Sequence, residues 1–273
     1  MGFCLDLRKQ ILLQPIDLPI FNPIALELLQ LLADQDVDID CIIKTINKDQ
    51  ALAIQVLRIA NSAAYAGLRP SETIKESVNR LGVEQITNLT MAAALAEVHA
   101  SNNPIVNFMM NHLWNHSYAC AIGCRSLAIS SGLGGLADQA YMAGLLHDIG
   151  KLYLLKAMER ISLSGEIKFS FDRETLLDIF SEMHVEQGFR IMNHWNIPSK
   201  YRSVVAEHHA EHLNPHDTLL AIVRLVNFKS KQFDLDYFPM ITRHLNANTE
   251  ITMLHLNETA REQLEFDMKN SCT

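Results

Sequence analysis

Apolar residues recur along this chain at helical spacing almost without interruption, and that periodicity constrains the fold more than any other feature. Leu26, Leu29 and Leu32 share one helix face, and Leu52, Val56 and Ile59 share another. Sustained period-two alternation bounded by turn residues is scarce, so the spacing predicts an all-α protein. Helix starts and stops carry chemical signatures. Asp38 is placed to cap a helix running through Cys41-Ile42-Ile43, Thr73 with Glu76 forms a capping box, and Asn214, Pro215 and Asp217 open a further helix. Gly67, Pro70, Gly82, Gly132, Gly134-Gly135 and Pro198 cut the chain into segments of about 8 to 20 residues, the usual helix length.

The polar turn Ser101-Asn102-Asn103-Pro104 separates two helical blocks, and only the second is rich in histidine. We expect an N-terminal segment over 1–13, an N-terminal helical lobe over 14–103, a helical domain carrying the chemistry over 104–230, and closing helices over 231–273. A chain of 273 residues, 48% hydrophobic and 20% charged, has enough apolar material for a proper core and does not have the composition of a disordered chain.

The formal net charge is −8 and no dense Lys/Arg cluster is present, which argues against a nucleic-acid partner. The longest apolar stretches, around Ile42-Ile43 and over Met91 to Leu95, fall far short of the ~20 residues a bilayer span needs, so no membrane partner is expected. Cys4, Cys41, Cys120, Cys124 and Cys272 are odd in number, lie in helical contexts and follow no signal peptide. They read as reduced thiols of a cytoplasmic protein. Cys120 and Cys124 sit four apart on one helix face, in reach of a metal in principle, but read better as small buried hydrophobes.

The chemistry centres on Ala143-Gly-Leu-Leu-His147-Asp148-Ile-Gly150-Lys151. An adjacent His and Asp at a helix bend can offer one cation both an imidazole nitrogen and a carboxylate oxygen, a mixed set suited to Fe, Mn or Zn. His116 upstream, and His184 and the His208-His209 pair downstream, fall on helical segments whose imidazoles can converge in a bundle core. Lys151 follows His147 by four residues on the same helix face, where its ammonium can meet a phosphate oxygen. His99, His112, His194, His212, His216, His244 and His255 fall outside this order and read as structural histidines. Asp138, Asp178 and Asp217 read as helix-face or capping carboxylates.

Further stretches complete a recognisable order: Leu18-Pro19, Asp49-Gln-Ala-Leu52, Arg58-Ile-Ala-Asn61-Ser62-Ala-Ala-Tyr65 and Ser77-Val-Asn-Arg-Leu81-Gly82, then Leu113-Trp114-Asn-His116-Ser117, His184 with Gly188, and Trp195-Asn-Ile-Pro198. Together with the His-Asp doublet they resemble the HD superfamily of metal-dependent phosphohydrolases, and more closely its HDOD branch, over roughly residues 14 to 230. The resemblance implies a multi-helix HD-domain-like bundle with an additional N-terminal helical lobe. It implies that His116, His147, Asp148 and the residue at Asn227 hold a first metal, with His184, His208 and His209 as the extra ligands of two-metal members. The ion would be Fe, Mn, Zn or Mg, and Asp148 and Lys151 would be the catalytic residues.

Two departures qualify the implied activity. Asn227 offers a neutral carbonyl oxygen where the family pattern has a carboxylate, which weakens both affinity for a hard cation and acidification of water. The paired histidines continue as Ala-Glu-His-Leu-Asn-Pro215, without the Gly-Tyr-Pro loop of HD-GYP phosphodiesterases. The resemblance therefore implies a bacterial signal-transduction or regulatory protein, with a signalling protein as partner and a catalytically degenerate site. The alternative is an active metal-dependent phosphohydrolase acting on a phosphate-containing, nucleotide-like small molecule. A wholly structural helical protein without metal is the third reading.

Overall fold

The computed structural model describes residues 2–15, 22–31, 38–63, 65, 67–165, 167–233, 235–238 and 247–271. Leu18-Pro19, Leu32, Ala64, Asp234, His244 and Cys272 lie outside them. Every regular element among the described residues is helical, as the periodicity predicts. In chain order these are α1 (Gly2–Leu13), α2 (Pro23–Leu31), α3 (Ile39–Ile46), α4 (Gln50–Ala60), α5 (Ile74–Leu81), α6 (Val83–Val98) and α7 (Pro104–Ser130). A 3-10 turn at Gly134–Leu136 precedes α8 (Ala137–Leu146), α9 (Ile149–Ser164), α10 (Arg173–His194), α11 (Ser199–Glu207) and α12 (Thr218–Gln232), followed by α13 (Asn248–Met253) and α14 (Glu258–Asn270). No helix among the described residues is long and apolar enough to cross a membrane.

The expected caps form. Asp38 accepts from the amide of Asp40, Thr73 from that of Glu76 and Asp217 from that of Leu220, each relieving an orphan donor of the first turn. The Thr73 box is offset by one residue: the Glu76 carboxylate accepts from the amide of Glu72 instead of that of Thr73. Gly82 ends α5 at φ +86°, in the left-handed region where a Cβ is strained.

The chain forms two compact units. The smaller comprises Pro19–Val98 and Trp195–Pro198, and the larger comprises Met1–Leu18, His99–His194 and Ser199–Thr273. In the smaller unit α2, α3, α4 and α5 all pack on α6, and Ile42, Ile46, Leu52, Val56, Ile86 and Leu89 are buried. The motif residues of this unit hold its loops. Asp49 caps α4 by accepting from the Leu52 amide, and the Asn22 side chain donates to its other oxygen. The Asn61 amide donates to the Ser71 carbonyl and accepts from the Ser71 amide, both at 2.8 Å, while Arg80 donates to the Ala60 and Arg69 carbonyls.

In the larger unit α7 runs against α8, α12 and α14, α9 packs on α10, and α10 on α11. Arg8 of α1 pairs with Asp178 and Glu182 on α10, so Asp178 is the helix-face carboxylate expected of it.

The doubly bonded Asn61 yields a direct expectation. Asn61→Ala leaves the Ser71 amide and carbonyl without those partners and should cost about 1–3 kcal/mol of stability. Urea unfolding monitored by circular dichroism measures it, and an unchanged midpoint would show that these bonds do not hold the loop.

Candidate metal centre

The larger unit brings six of the residues singled out by sequence to one buried point. The α8 helix ends at Leu146, and Asp148 leaves helical geometry at φ −104°, ψ 19° before α9 begins. Asp148 stands at the N-cap of α9 yet makes no side-chain capping bond, which leaves its carboxylate to face the interior. There its Oδ2 lies 3.3 Å from Nε2 of His116 on α7 and 3.3 Å from Nε2 of His147. Its Oδ1 lies 3.6 Å from Nε2 of His184 on α10 and 3.4 Å from Nε2 of His208, in the turn after α11.

The far nitrogen of three of these rings is anchored to backbone. Nδ1 of His147 donates to the Gly144 carbonyl at 2.8 Å, that of His184 to Phe180 at 2.6 Å, and that of His208 to Val205 at 2.9 Å. A carbonyl only accepts, so each Nδ1 carries the proton and Nε2 is turned to the cluster, the arrangement that fixes a metal-binding imidazole. Burial holds His184 and His208 below the ordinary imidazole range despite the pull of Asp148, so both rings are neutral and their Nε2 atoms are lone pairs. The Nε2 atoms of His184 and His208 are only 3.4 Å apart, and those of His116 and His147 only 3.3 Å.

Lone pairs thus face a carboxylate oxygen, Oδ1 of Asp148, that has no hydrogen-bond partner of its own. Acceptors so placed repel one another unless positive charge lies among them, so the donor set fits a divalent cation. Two groups of ligand atoms within 4.8 Å of one another emerge: Asp148 with His184, His208 and His209, and His116 with Cys120 and His147. Among the described residues, the Asp148 carboxylate faces both.

Lys151 sits one turn into α9 and donates from Nζ to Asp148 Oδ2 at 2.7 Å, while only 2% exposed. Burial works against the Asp148 charge, but the Lys151 ammonium, with His147 and His116, outweighs it and holds the carboxyl well below its usual range. Burial likewise opposes the Lys151 charge, and Asp148 and Asp236 outweigh it. Asn227 lies on α12, buried, with a partnerless Oδ1. His209 has both ring nitrogens buried without partners, and its ring centroid is 4.1 Å from that of His208.

Two further residues lie beside the site, one weighed from sequence and set aside as a ligand and one not singled out. Cys120 is buried as expected, but its Sγ is also 3.8 Å from Nε2 of His116. The signal was present, since the two are four apart on α7 and share a face. Asp236, beyond α12, places its charge near His116 and Lys151, and no periodicity in that irregular stretch marks it. His112 stacks on Tyr237 and His99 is tilted against Trp114, the structural roles expected of them.

The scaffold is close-fitting. A Cβ on Gly150 would lie 1.9 Å from the His184 carbonyl and 2.8 Å from the Gly188 amide, so α9 and α10 cross with backbone almost touching. Arg224 of α12 donates to the Ala210 carbonyl at 2.7 Å and to Glu250 of α13 at 2.8 Å, tying down the chain just after His208-His209.

Two expectations follow. Gly150→Ala forces those helices apart at His184 and should cost about 1–3 kcal/mol or more by thermal or urea unfolding, whereas a neutral effect would contradict the close crossing. For pH, burial lowers His184 from 6.5 to about 3, so below 6.5 the unfolded chain binds a proton that the folded, metal-free chain refuses. This stability contribution is complete above the unfolded value and is lost as pH falls from there toward the folded one. Urea midpoints in excess chelator should drop between about pH 7.5 and about pH 5.5, and the drop should shrink in His184→Gln. An equal drop in the variant would clear His184 as the cause.

Comparison with known proteins bears on the fold and the family. A curated protein of Treponema pallidum (strain Nichols), described as uncharacterized, is 26% identical over 197 residues, which are 71% of this chain and 38% of that protein. The chain thus spans about two fifths of the length of the curated relative it matches. A solved structure from Shewanella amazonensis SB2B, named as a candidate metal-dependent phosphohydrolase, superposes with a TM-score of 0.73 at 20% identity, covering 100% of this chain and 98% of that one. Another from Marinobacter aquaeolei VT8, named as a candidate signal transduction protein, gives 0.67 at 20% identity, covering 99% of this chain and 64% of that one. At such identities these two likenesses concern the fold alone. The HDOD domain profile matches residues 18–211, the stretch that carries His116, the His147-Asp148 doublet, His184 and His208-His209, and the chain belongs to the HDOD domain family.

Proposed function

We propose that this chain is a regulatory module of bacterial signal transduction in which the His/Asp centre holds divalent metal to brace the helices and does not turn over phosphoesters. The observation that carries the reading is burial. His147 and His208 are 0% exposed, His116 1%, His184 and Lys151 2%, and Asp148 3%. Metal sites that support a fold are closed by protein ligands, whereas hydrolytic sites keep a coordination position open to water and substrate. Lys151 supports the same direction, because its ammonium is committed to Asp148 Oδ2 and is not presented to a phosphate. Asn227 does so too, by contributing no charge where a hydrolase of this superfamily would have a carboxylate.

The ligand set would divide around Asp148, with Oδ2 serving His116 and His147 and Oδ1 serving His184 and His208, and His209 beside them. A divalent cation held there supplies fixed positive charge and Lewis acidity. Imidazole-rich donors suit Fe, Mn or Zn better than Mg, which demands oxygen ligands and water. A braced bundle suits a module that passes a signal to a protein partner, in keeping with the name of the Marinobacter neighbour.

The second reading, a working phosphohydrolase, draws on the name of the Shewanella neighbour and on His209, the least buried of the candidate ligands, whose ring nitrogens have no partner. One pair of measurements separates the two. Protein purified without chelator should carry at least about one equivalent of transition metal per chain, lost in His147→Ala and Asp148→Ala. The same metal-loaded protein should leave nucleotides, cyclic dinucleotides and simple phosphomonoesters intact. Turnover abolished by those two substitutions would reverse the order of the readings, and metal-free protein from every preparation would remove the metal centre itself.

A further inference from the structure

The geometry assigns Cys120 as a thiolate ligand of the half-site formed by His116 and His147, making that half-site a mixed nitrogen and sulfur position for a borderline-soft cation such as Zn, Fe(II) or Co(II). The inference rests on the metal-centre reading above and adds to it a donor and a metal class. Cys120 lies one turn beyond His116 on α7, with Sγ 3.9 Å from Nδ1 and 3.8 Å from Nε2 of that ring. The ligand atoms of His116, Cys120 and His147 lie within 4.8 Å of one another, a spacing that a single ion can span. All three residues are buried, at 1%, 1% and 0% exposure, and Cys120 is not in a disulfide.

An independent observation points to a ligand at the same place. Asp148, 3% exposed, sets Oδ2 3.3 Å from Nε2 of each of these two imidazoles, so a buried carboxylate oxygen borders the same half-site. The charge balance calls for a further anion. His116 and His147 bring no negative charge, Asn227 brings none, the Asp148 charge is shared with the Lys151 ammonium at 2.7 Å and with the other half-site, and the Asp236 charge near His116 is offset by Lys151 and Lys231. A thiolate restores one negative charge. Coordination converts the Cys120 thiol to thiolate, with the Sγ–H proton released to solvent as the metal–sulfur bond forms. Sulfur then selects against Mg and Mn, which prefer oxygen, and leaves the half-site around His184 and His208 as the all nitrogen and oxygen position.

Neighbouring Cys124 provides the control. It is one further turn along α7, equally buried, and outside the ligand group.

The test uses the full chain, stripped by chelator, reduced with a phosphine and titrated with Co(II). Visible ligand-field bands report that cobalt is bound, and a near-ultraviolet sulfur-to-cobalt charge-transfer band reports thiolate ligation. Both should appear in the unsubstituted protein and in Cys124→Ser. Cys120→Ser should keep the visible bands, lose the charge-transfer band, and bind Zn roughly tenfold or more weakly in competition with a chromophoric chelator. Zinc X-ray absorption of the unsubstituted protein requires no variant, and should contain a sulfur scatterer at about 2.3 Å. Visible bands without charge transfer, a charge-transfer band that survives Cys120→Ser, or zinc surrounded by nitrogen and oxygen alone would each overturn the assignment while leaving the metal centre standing. Absence of any cobalt band would bring down the metal centre and the Cys120 assignment with it.

Discussion

The rest of the larger unit is organised around one electrostatic problem: a buried carboxylate, Asp148, met from several sides by imidazole nitrogens. Interiors of low polarity make unpaired charge costly, so such a group persists only where opposite charge compensates it. Lys151 supplies part of that charge, on Oδ2 alone. On the Oδ1 side the neighbours are the neutral rings of His184 and His208, held as acceptors by the bonds their Nδ1 atoms make to backbone carbonyls. An unpartnered carboxylate oxygen among such lone pairs is costly, and a divalent cation held there would give them a common partner.

The scaffold can be understood as what is needed to keep those atoms aimed. The break between α8 and α9 lets two consecutive residues, His147 and Asp148, face the same point, which an unbroken helix would forbid by turning them about 100° apart. Gly150 lets α10 approach until the His184 carbonyl touches α9. Arg224 and Glu250 carry the support outward, linking the turn after His209 to α13 through a buried ion pair. In the smaller unit the motif residues act differently. Asp49, Asn61 and Arg80 satisfy backbone groups at helix ends, so the resemblance carried by that block reflects how its loops are held.

Closure of the centre bears on what such a protein can do. Side chains buried to a few per cent of their surface would shield a metal held among them from substrate, and would couple it to the packing of the helices that carry them. Anything that loosens one of those segments alters the charge balance at Asp148, and anything that alters the charge balance bears on the packing. On the regulatory reading proposed above, that reciprocity between a local charge and the stability of a bundle would suit a module whose output is a conformational state.

Much of this was legible in the order of residues. Helical spacing at Leu52, Val56 and Ile59 declared the fold class, because amphipathic burial follows from local periodicity alone. Asp38, Thr73 and Asp217 declared helix starts, because a cap is a contact between residues two or three apart. The His147-Asp148 doublet and its distant histidines declared the candidate site through their order. What sequence could not fix was which atoms face each other. Lys151 and Cys120 lie only three and four residues from Asp148 and His116, but whether such neighbours meet at a shared centre, and that Asp236 comes near it from beyond α12, depend on how helices distant in sequence cross. Local spacing determines which face a residue occupies, and only the packed tertiary structure decides what that face meets.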